Sequence, residues 1–421
     1  MIFPTMTKIK QSVDHPFIDD ISSEVKEKIN KINLSREKGK SVAITCGSRG
    51  ITDYYTIIKS LSDELKSYGM KPFIIPAMGS HGGATPEGQK LLLEHLGLNE
   101  RKLKIPIKSS MEVVQIGETE NVPVFIDKNA AEADYILLFH IIKDHADFYN
   151  DTFGTGWQKM LTIGLGKQKG AHIYHDAIMR HGFIKIIQDV SREVIKKTNI
   201  LFAMGVVQNG LNKSAEIEVC SKEEIPKVEE RLFKQAIKYT MKLPFNNMDI
   251  LIIDEMGKEY SGAGFETKVV GRIGMPLLTR EPIGPKIKRI VVCDLTKASE
   301  GNAIGVGNAD FITKKLYDKI DFDVMYLNAI TALETETARI PMVLETDMRA
   351  IEVAIKSIGS IPFEELRVVR IKNTKDLGEL YVSKPLVEEL EKRRNNTIKI
   401  TIEKEIGPIS FDNLGNIELF R

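Results

Sequence analysis

Residues 41–77 read SVAITCGSRGITDYYTIIKSLSDELKSYGMKPFIIPA, and this stretch decides the fold class. The apolar run 41–46 is too short for a helix and carries no polar alternation, so it reads as a strand buried on both faces. Thr52 stands in the N-cap position of a helix over 53–68, and Gly69 ends it. A second apolar run, 73–77, follows at once. Strand, helix and strand in this order predict a parallel βαβ unit. Working outward, apolar runs at 135–140, 200–207, 249–253, 289–293, 323–327 and 367–371 predict further strands. Amphipathic stretches at 86–96, 177–197, 222–241, 346–358 and 384–394 predict helices between them. The fold class is therefore α/β: two α/β domains with mixed sheets flanked by helices, Rossmann-like, with the active site expected in the interdomain cleft. The segment KLPFNNM, 242–248, is rich in breakers and marks a boundary. Domain one is placed at 1–245 and domain two at 246–395. The alternating tail 396–421 is expected to rejoin domain one.

The 421 residues carry 59 Lys+Arg against 58 Asp+Glu, a net charge of +1. No global basic excess exists for non-specific nucleic-acid binding. Cys46, Cys220 and Cys293 are odd in number and far apart, so a complete disulfide framework is excluded and a reducing compartment is expected. The start, MIFPTMTKIKQSVDHPF, has no apolar h-region, and nowhere do 18 apolar residues run together. The expectation is a cytoplasmic protein that binds neither membrane nor nucleic acid.

Of the eight histidines, five fall between 140 and 181: His140, His145, His172, His175 and His181. Imidazole titrates near neutrality and ligates borderline metals, so the cluster points to acid–base work or a metal. Between them lies FGTGWQKMLTIGLGKQKGAHIYH, residues 153–175, which holds five glycines and the chain's only tryptophan. Gly164, Gly166 and Gly170 form GxGxxxG, but a dinucleotide fingerprint belongs at the first βα turn with a ribose-binding acid beyond it, and neither holds here. Upstream, PAMGSHGGATPEG, 76–88, sets His81 on a glycine-rich turn between a strand and a helix. That is where α/β folds place ligands. TCGSRGI, 45–51, follows the same logic, with Arg49 free to fork onto a carboxylate or phosphate.

Taken together these segments resemble the nickel-dependent lactate racemase family of 2-hydroxy acid racemases and epimerases. The resemblance lies in one ordered set: a His in a GSH turn, a second His, a Lys in a glycine-rich stretch, and a third His sixteen residues after it. Here these are His81, His145, Lys159 and His175. CGSRGI and GSHGGAT depart from the usual family segments and imply a divergent subgroup whose substrate is not lactate.

The resemblance implies a covalent nickel-pincer nucleotide, the pyridinium-3,5-bisthiocarboxylic acid mononucleotide of nickel. Lys159 would carry it through a thioamide, with Gly164 and Gly166 in the cofactor-binding stretch, and His175 would bind nickel. His81 and His145 would be the two acid–base residues, one for each face of a planar 2-keto acid formed by transient hydride transfer. Arg49 would orient the anionic substrate, and Lys268, in DEMGKEYSGAGFETKVVGR (254–272), is a candidate contact from domain two. The implied partners are a small 2-hydroxy acid and the enzymes that make the cofactor; oligomeric state is not implied. Two other readings stand beside this one: a hydrolase or lyase with a conventional His-bound metal, and a non-catalytic carrier of the nickel cofactor.

Overall fold

A computed structural model describes residues 3–12, 16–34, 37–48, 50–145, 152–273, 284–393 and 399–418. Its strands are β1 (Thr5–Ser12), β2 (Ser41–Cys46), β3 (Lys71–Pro76), β4 (Val113–Glu118), β5 (Pro123–Asp127), β6 (Tyr135–Ile141), β7 (Ile200–Gln208), β8 (Ser214–Cys220), β9 (Asn247–Ile253), β10 (Lys286–Val292), β11 (Phe311–Thr313), β12 (Met342–Leu344), β13 (Val368–Ile371), β14 (Glu379–Ser383) and β15 (Lys399–Pro408). The α/β class holds, and the chain divides into two compact units: 15–145 with 150–240, and 1–14 with 241–421.

The first unit is built on a five-stranded sheet of order β3-β2-β6-β7-β8. The first four strands are parallel and β8 closes the edge antiparallel. The run SVAITC buries every residue from Val42 to Cys46, as a strand covered on both faces must. Helix Tyr54–Ser67 buries Ile57, Ile58, Leu61 and Leu65, the i, i+3, i+4 face the sequence predicts. It stops where Gly69 takes φ +76°. The predicted helix 177–197 is instead two, Leu165–His181 and Phe183–Lys197, because Gly182 (φ +88°) breaks the run. A small β4-β5 ribbon completes the unit.

The second unit carries an eight-stranded mixed sheet, β12-β11-β10-β9-β13-β14-β1-β15. Its first five strands are parallel, and the rest are antiparallel. Two expectations are corrected here. The apolar run 323–327 is not a strand but lies in helix Phe322–Ala332: Asp321 caps it by accepting from Val324 N (3.1 Å), and Met325 and Ala329, four apart, are the residues it buries. An unbroken apolar run fits either element, and the cap decides. The tail does not return to the unit of 15–240. β15 pairs with β1, and β1 itself belongs to the second unit, held between β14 and β15. Lys8 and Lys10 on β1 meet Glu379 (3.0 Å) on β14 and Glu403 (2.7 Å) on β15, cross-strand charge pairs that match the three strands to each other.

All three cysteines are buried and unbridged. Among the described residues no helix is long and apolar enough to cross a membrane.

Candidate functional site

In the five-stranded sheet, β2 connects outward to β3 on one side while β6 connects outward to β7 on the other. The carboxyl ends of β2 and β6 therefore frame a topological switch point, where open α/β sheets bind ligands. A cavity lies at these ends. Its lining includes Gly47 and Ser48 after β2, Ala77, Met78 and His81 after β3, His140 near the end of β6, and Thr155, Lys159 and Gly164 from the glycine-rich stretch. The unfilled space, including space open to solvent, is about 450 Å³. Among the described residues no carboxylate lines the cavity.

Each wall has a local cause. After β2 the backbone turns at Gly47, where a Cβ would stand 2.6 Å from His140 Cε1, so only glycine admits the imidazole this close. His81 is exposed on a turn capped to the following helix, Pro86–His95. Thr85 accepts from Gly88 N (3.1 Å), and Gly82, at φ +65°, packs so tightly that a Cβ would lie 2.6 Å from Gly88 C. Pro86 takes the first helical position, where its missing N–H costs nothing.

Lys159 ends a single helical turn, Trp157–Lys159, and a π-helical turn, Met160–Gly164, follows. The wider π turn supplies Met160, Ile163 and Gly164 to the cavity. Gly164 is needed here, since a Cβ would meet Ala77 O at 2.7 Å. The start of the turn is held by a carboxylate: Gln158 N donates to Glu229 Oε2 (3.0 Å), and Glu229 is fully buried. Burial pushes the Glu229 carboxyl up to about 7, partly offset by the Gln158 and Trp157 hydrogen bonds.

Lys159 Nζ is hydrogen-bonded to Nε2 of His145, a buried imidazole that packs against the Phe183 ring (centroids 5.7 Å apart). His175, on helix Leu165–His181, is partly buried. Burial, then the nearby charges of Lys159 and His172, hold it down at about 4, so its imidazole is neutral and its lone pair available at ordinary pH. His172, one turn away, is exposed.

Of the residues singled out in the sequence, His81, Lys159 and Gly164 line one cavity, His145 touches Lys159, and His175 senses the charge of Lys159. Gly166 is not in the lining; it packs on Tyr174, whose Cε2 would be 2.9 Å from an added Cβ. Arg49 lies outside the described residues, though its neighbour Ser48 lines the cavity. Lys268 belongs to the other unit, where burial lowers its amine to about 8. His140 also lines the cavity. Glu229, Gln89 and Lys167 escape sequence reading because isolated polar residues in helices read as solvated.

Residues 8–186 match the family described as the lactate racemase N-terminal domain. No curated protein matches the sequence. A structural-genomics crystal structure of a protein from Thermotoga maritima is similar in fold: 13% identity, 77% of this chain and 83% of that one covered, TM-score 0.51. The lactate racemase apoprotein from Thermoanaerobacterium thermosaccharolyticum aligns over 91% of this chain and 90% of its own at 14% identity, with a TM-score of 0.47.

Proposed function

We propose that this chain, whose residues 8–186 match the lactate racemase N-terminal domain family, is a racemase or C2-epimerase of a 2-hydroxy acid working with a nickel-pincer nucleotide attached to Lys159. The observation that carries the reading is one cavity that gathers His81, His140, Lys159 and Gly164, with His145 bonded to Lys159.

The residues fit such a group. Lys159 presents its amine to an imidazole that can accept a proton from it, which is what acylation by a thiocarboxyl arm requires. His175 offers a neutral imidazole. Among the described residues no three His, Cys, Asp or Glu side chains converge as a metal-ligand set. A cofactor that brings most of its own donors and takes one imidazole suits this chain better than a metal held by protein alone. When bound, the pincer nucleotide supplies a reversible hydride acceptor, chemistry that no side chain offers.

The chain's own work is then binding and proton transfer. A cavity lined by a lysine and two histidines favours an anionic acid. Arg49 would hold the substrate carboxylate, with Lys268 a further candidate substrate contact. His81 and His145 would each take or return the hydroxyl proton. One observation favours a variant of this assignment: His140 lines the cavity with His81, whereas His145 is engaged by Lys159. In that variant His140 and His81 are the acid–base pair and His145 serves Lys159.

The test is intact mass with nickel content on protein co-produced with the cofactor-synthesis enzymes, beside a Lys159→Ala control, followed by a racemisation screen of 2-hydroxy acids. An adduct with about one nickel per chain, absent in the control, is expected. Full activity in Lys159→Ala would overturn the pincer assignment, and wild-type protein with neither adduct nor nickel would favour a conventional metal hydrolase. Loading without racemisation across the screen would favour a carrier. His140→Ala and His145→Ala separate the two acid–base assignments: the true partner of His81 loses turnover while the loaded mass stays unchanged.

A further inference from the structure

Lys167 is a lysine with no exposed surface, on a backbone that leaves the helix (φ +55°, ψ −158°) between Lys159 and His175. A non-glycine residue persists in such a conformation only where its surroundings over-determine it. Here they do. Its ammonium donates to Pro76 O (2.8 Å) at the end of β3 and to Gln89 Oε1 on the helix Pro86–His95, and forms an ion pair with Asp127 Oδ2 (3.4 Å) at the end of β5, so three separate segments hold it. Asp127, equally buried, caps the next helix by accepting from Asn129 N (2.7 Å) and Ala130 N (3.2 Å). Burial lowers the Lys167 amine and raises the Asp127 carboxyl, each shift opposed by the partner's charge.

Gln89 carries the connection onward. Its amide nitrogen donates to Gly79 O (2.8 Å) and His81 O (3.1 Å), the two carbonyls that flank Ser80 in the histidine turn. Gly79 N in turn donates to Gly164 O (3.2 Å) on the cavity wall. The exposed His81 thus stands on a turn whose backbone is tied, through one buried glutamine, to a buried ammonium on the segment that joins Lys159 to His175.

We propose that Lys167 and Gln89 are positioning residues, a buried strut that sets His81 at the rim of the cavity relative to Lys159. Neither touches the cavity; both act through the His81 turn. The functional weight given to His81 rests on the racemase reading, but the strut is tested on cofactor-free protein, so either can fail without the other.

The test labels histidine at Cε1 and follows the His81 ring signal by NMR in the full chain. Gln89→Leu removes both donors to the turn while keeping apolar volume; Gln89→Glu keeps the acceptor for Lys167 but removes the same donors. In both, the His81 signal is expected to shift or split, while that of His181, remote along the chain and exposed, stays in place. A folded variant with a lowered melting temperature and an unmoved His81 signal would reduce the strut to a stability element and overturn the proposal. The wild-type chain gives an independent check that needs no variant. The amides of His81 and Ala84, bonded to Met78 O (3.2 Å) and Ser80 O (3.1 Å), should exchange at least about 100-fold more slowly than in an unstructured chain. Exchange at unstructured rates would equally overturn it.

Discussion

A Cβ added at Gly47 would stand 2.6 Å from Cε1 of His140 and 3.1 Å from its Nδ1. The two residues close the switch point of the five-stranded sheet from opposite sides, β2 and β6. Gly47→Ala must therefore push the imidazole into the cavity or spread the strand ends. A cost of about 1–3 kcal/mol in stability is expected, as for other overpacked sites. Denaturant unfolding measures it, and the His140 ring signal should move in the folded variant.

Glu229 makes stability fall with rising pH. Its carboxyl ionises near 4.5 in an open chain and at about 7 in the fold, so between these values the folded chain holds the extra proton. Stability is then undiminished below about 4.5, declines as pH rises, and has lost about 3 kcal/mol once pH exceeds about 7. Glu229→Gln keeps an acceptor for Gln158 N and cannot ionise. Chemical denaturation at pH 5 and pH 8 should show a smaller difference in the variant than in wild type; equal slopes would refute this role.

What was readable in the sequence follows from how local the cause is. The strands at 41–46 and 135–140 are legible because each is a short apolar run that a buried parallel strand requires. The glycine-flanked His81 stands out because packing does not explain a histidine on such a turn, whereas Lys159 is singled out only by the family resemblance. The 323–327 run misleads because Val324, Tyr326 and Leu327 are apolar yet exposed, leaving no polar face to betray the helix. β1 with β15 is invisible locally, since nearly the whole chain separates the partners. Lys167 is hidden for a different reason: a lysine between Gly166 and Gln168 reads as solvated until Pro76, Gln89 and Asp127 are brought around it.

Lys159 should be the lysine that acylating reagents find first within the cavity. Its amine is hydrogen-bonded to an imidazole nitrogen, a group able to accept a proton as the lysine nitrogen attacks. Peptide mapping after brief treatment with a small acyl donor at mildly alkaline pH should show Lys159 modified ahead of Lys167, which is fully buried. His145→Ala should slow modification about 100-fold, the low end of what a positioned base contributes. An unchanged rate would remove His145 from the chemistry of Lys159.

Trp157 provides a reporter two residues from Lys159, and the sequence contains no other tryptophan. Its ring is fully buried, Nε1 donates to Met204 O (3.2 Å), and Gly205 lies so close that a Cβ would be 2.7 Å from Cζ2. Native emission should therefore be that of an apolar site and shift red on unfolding. Trp157→Phe keeps most of the apolar contact but leaves Met204 O without this donor, for an expected loss of about 1–2 kcal/mol. Gly205→Ala leaves the hydrogen bond's atoms in place and crowds the ring instead, for about 1–3 kcal/mol. Because the indole starts the turn that ends at Lys159, attachment of an acyl group to Lys159 should change the native emission while leaving the unfolded spectrum unaltered. If the native spectrum is blind to that modification, the turn does not couple the two side chains, and the tie between Glu229, Trp157 and Lys159 is structural only.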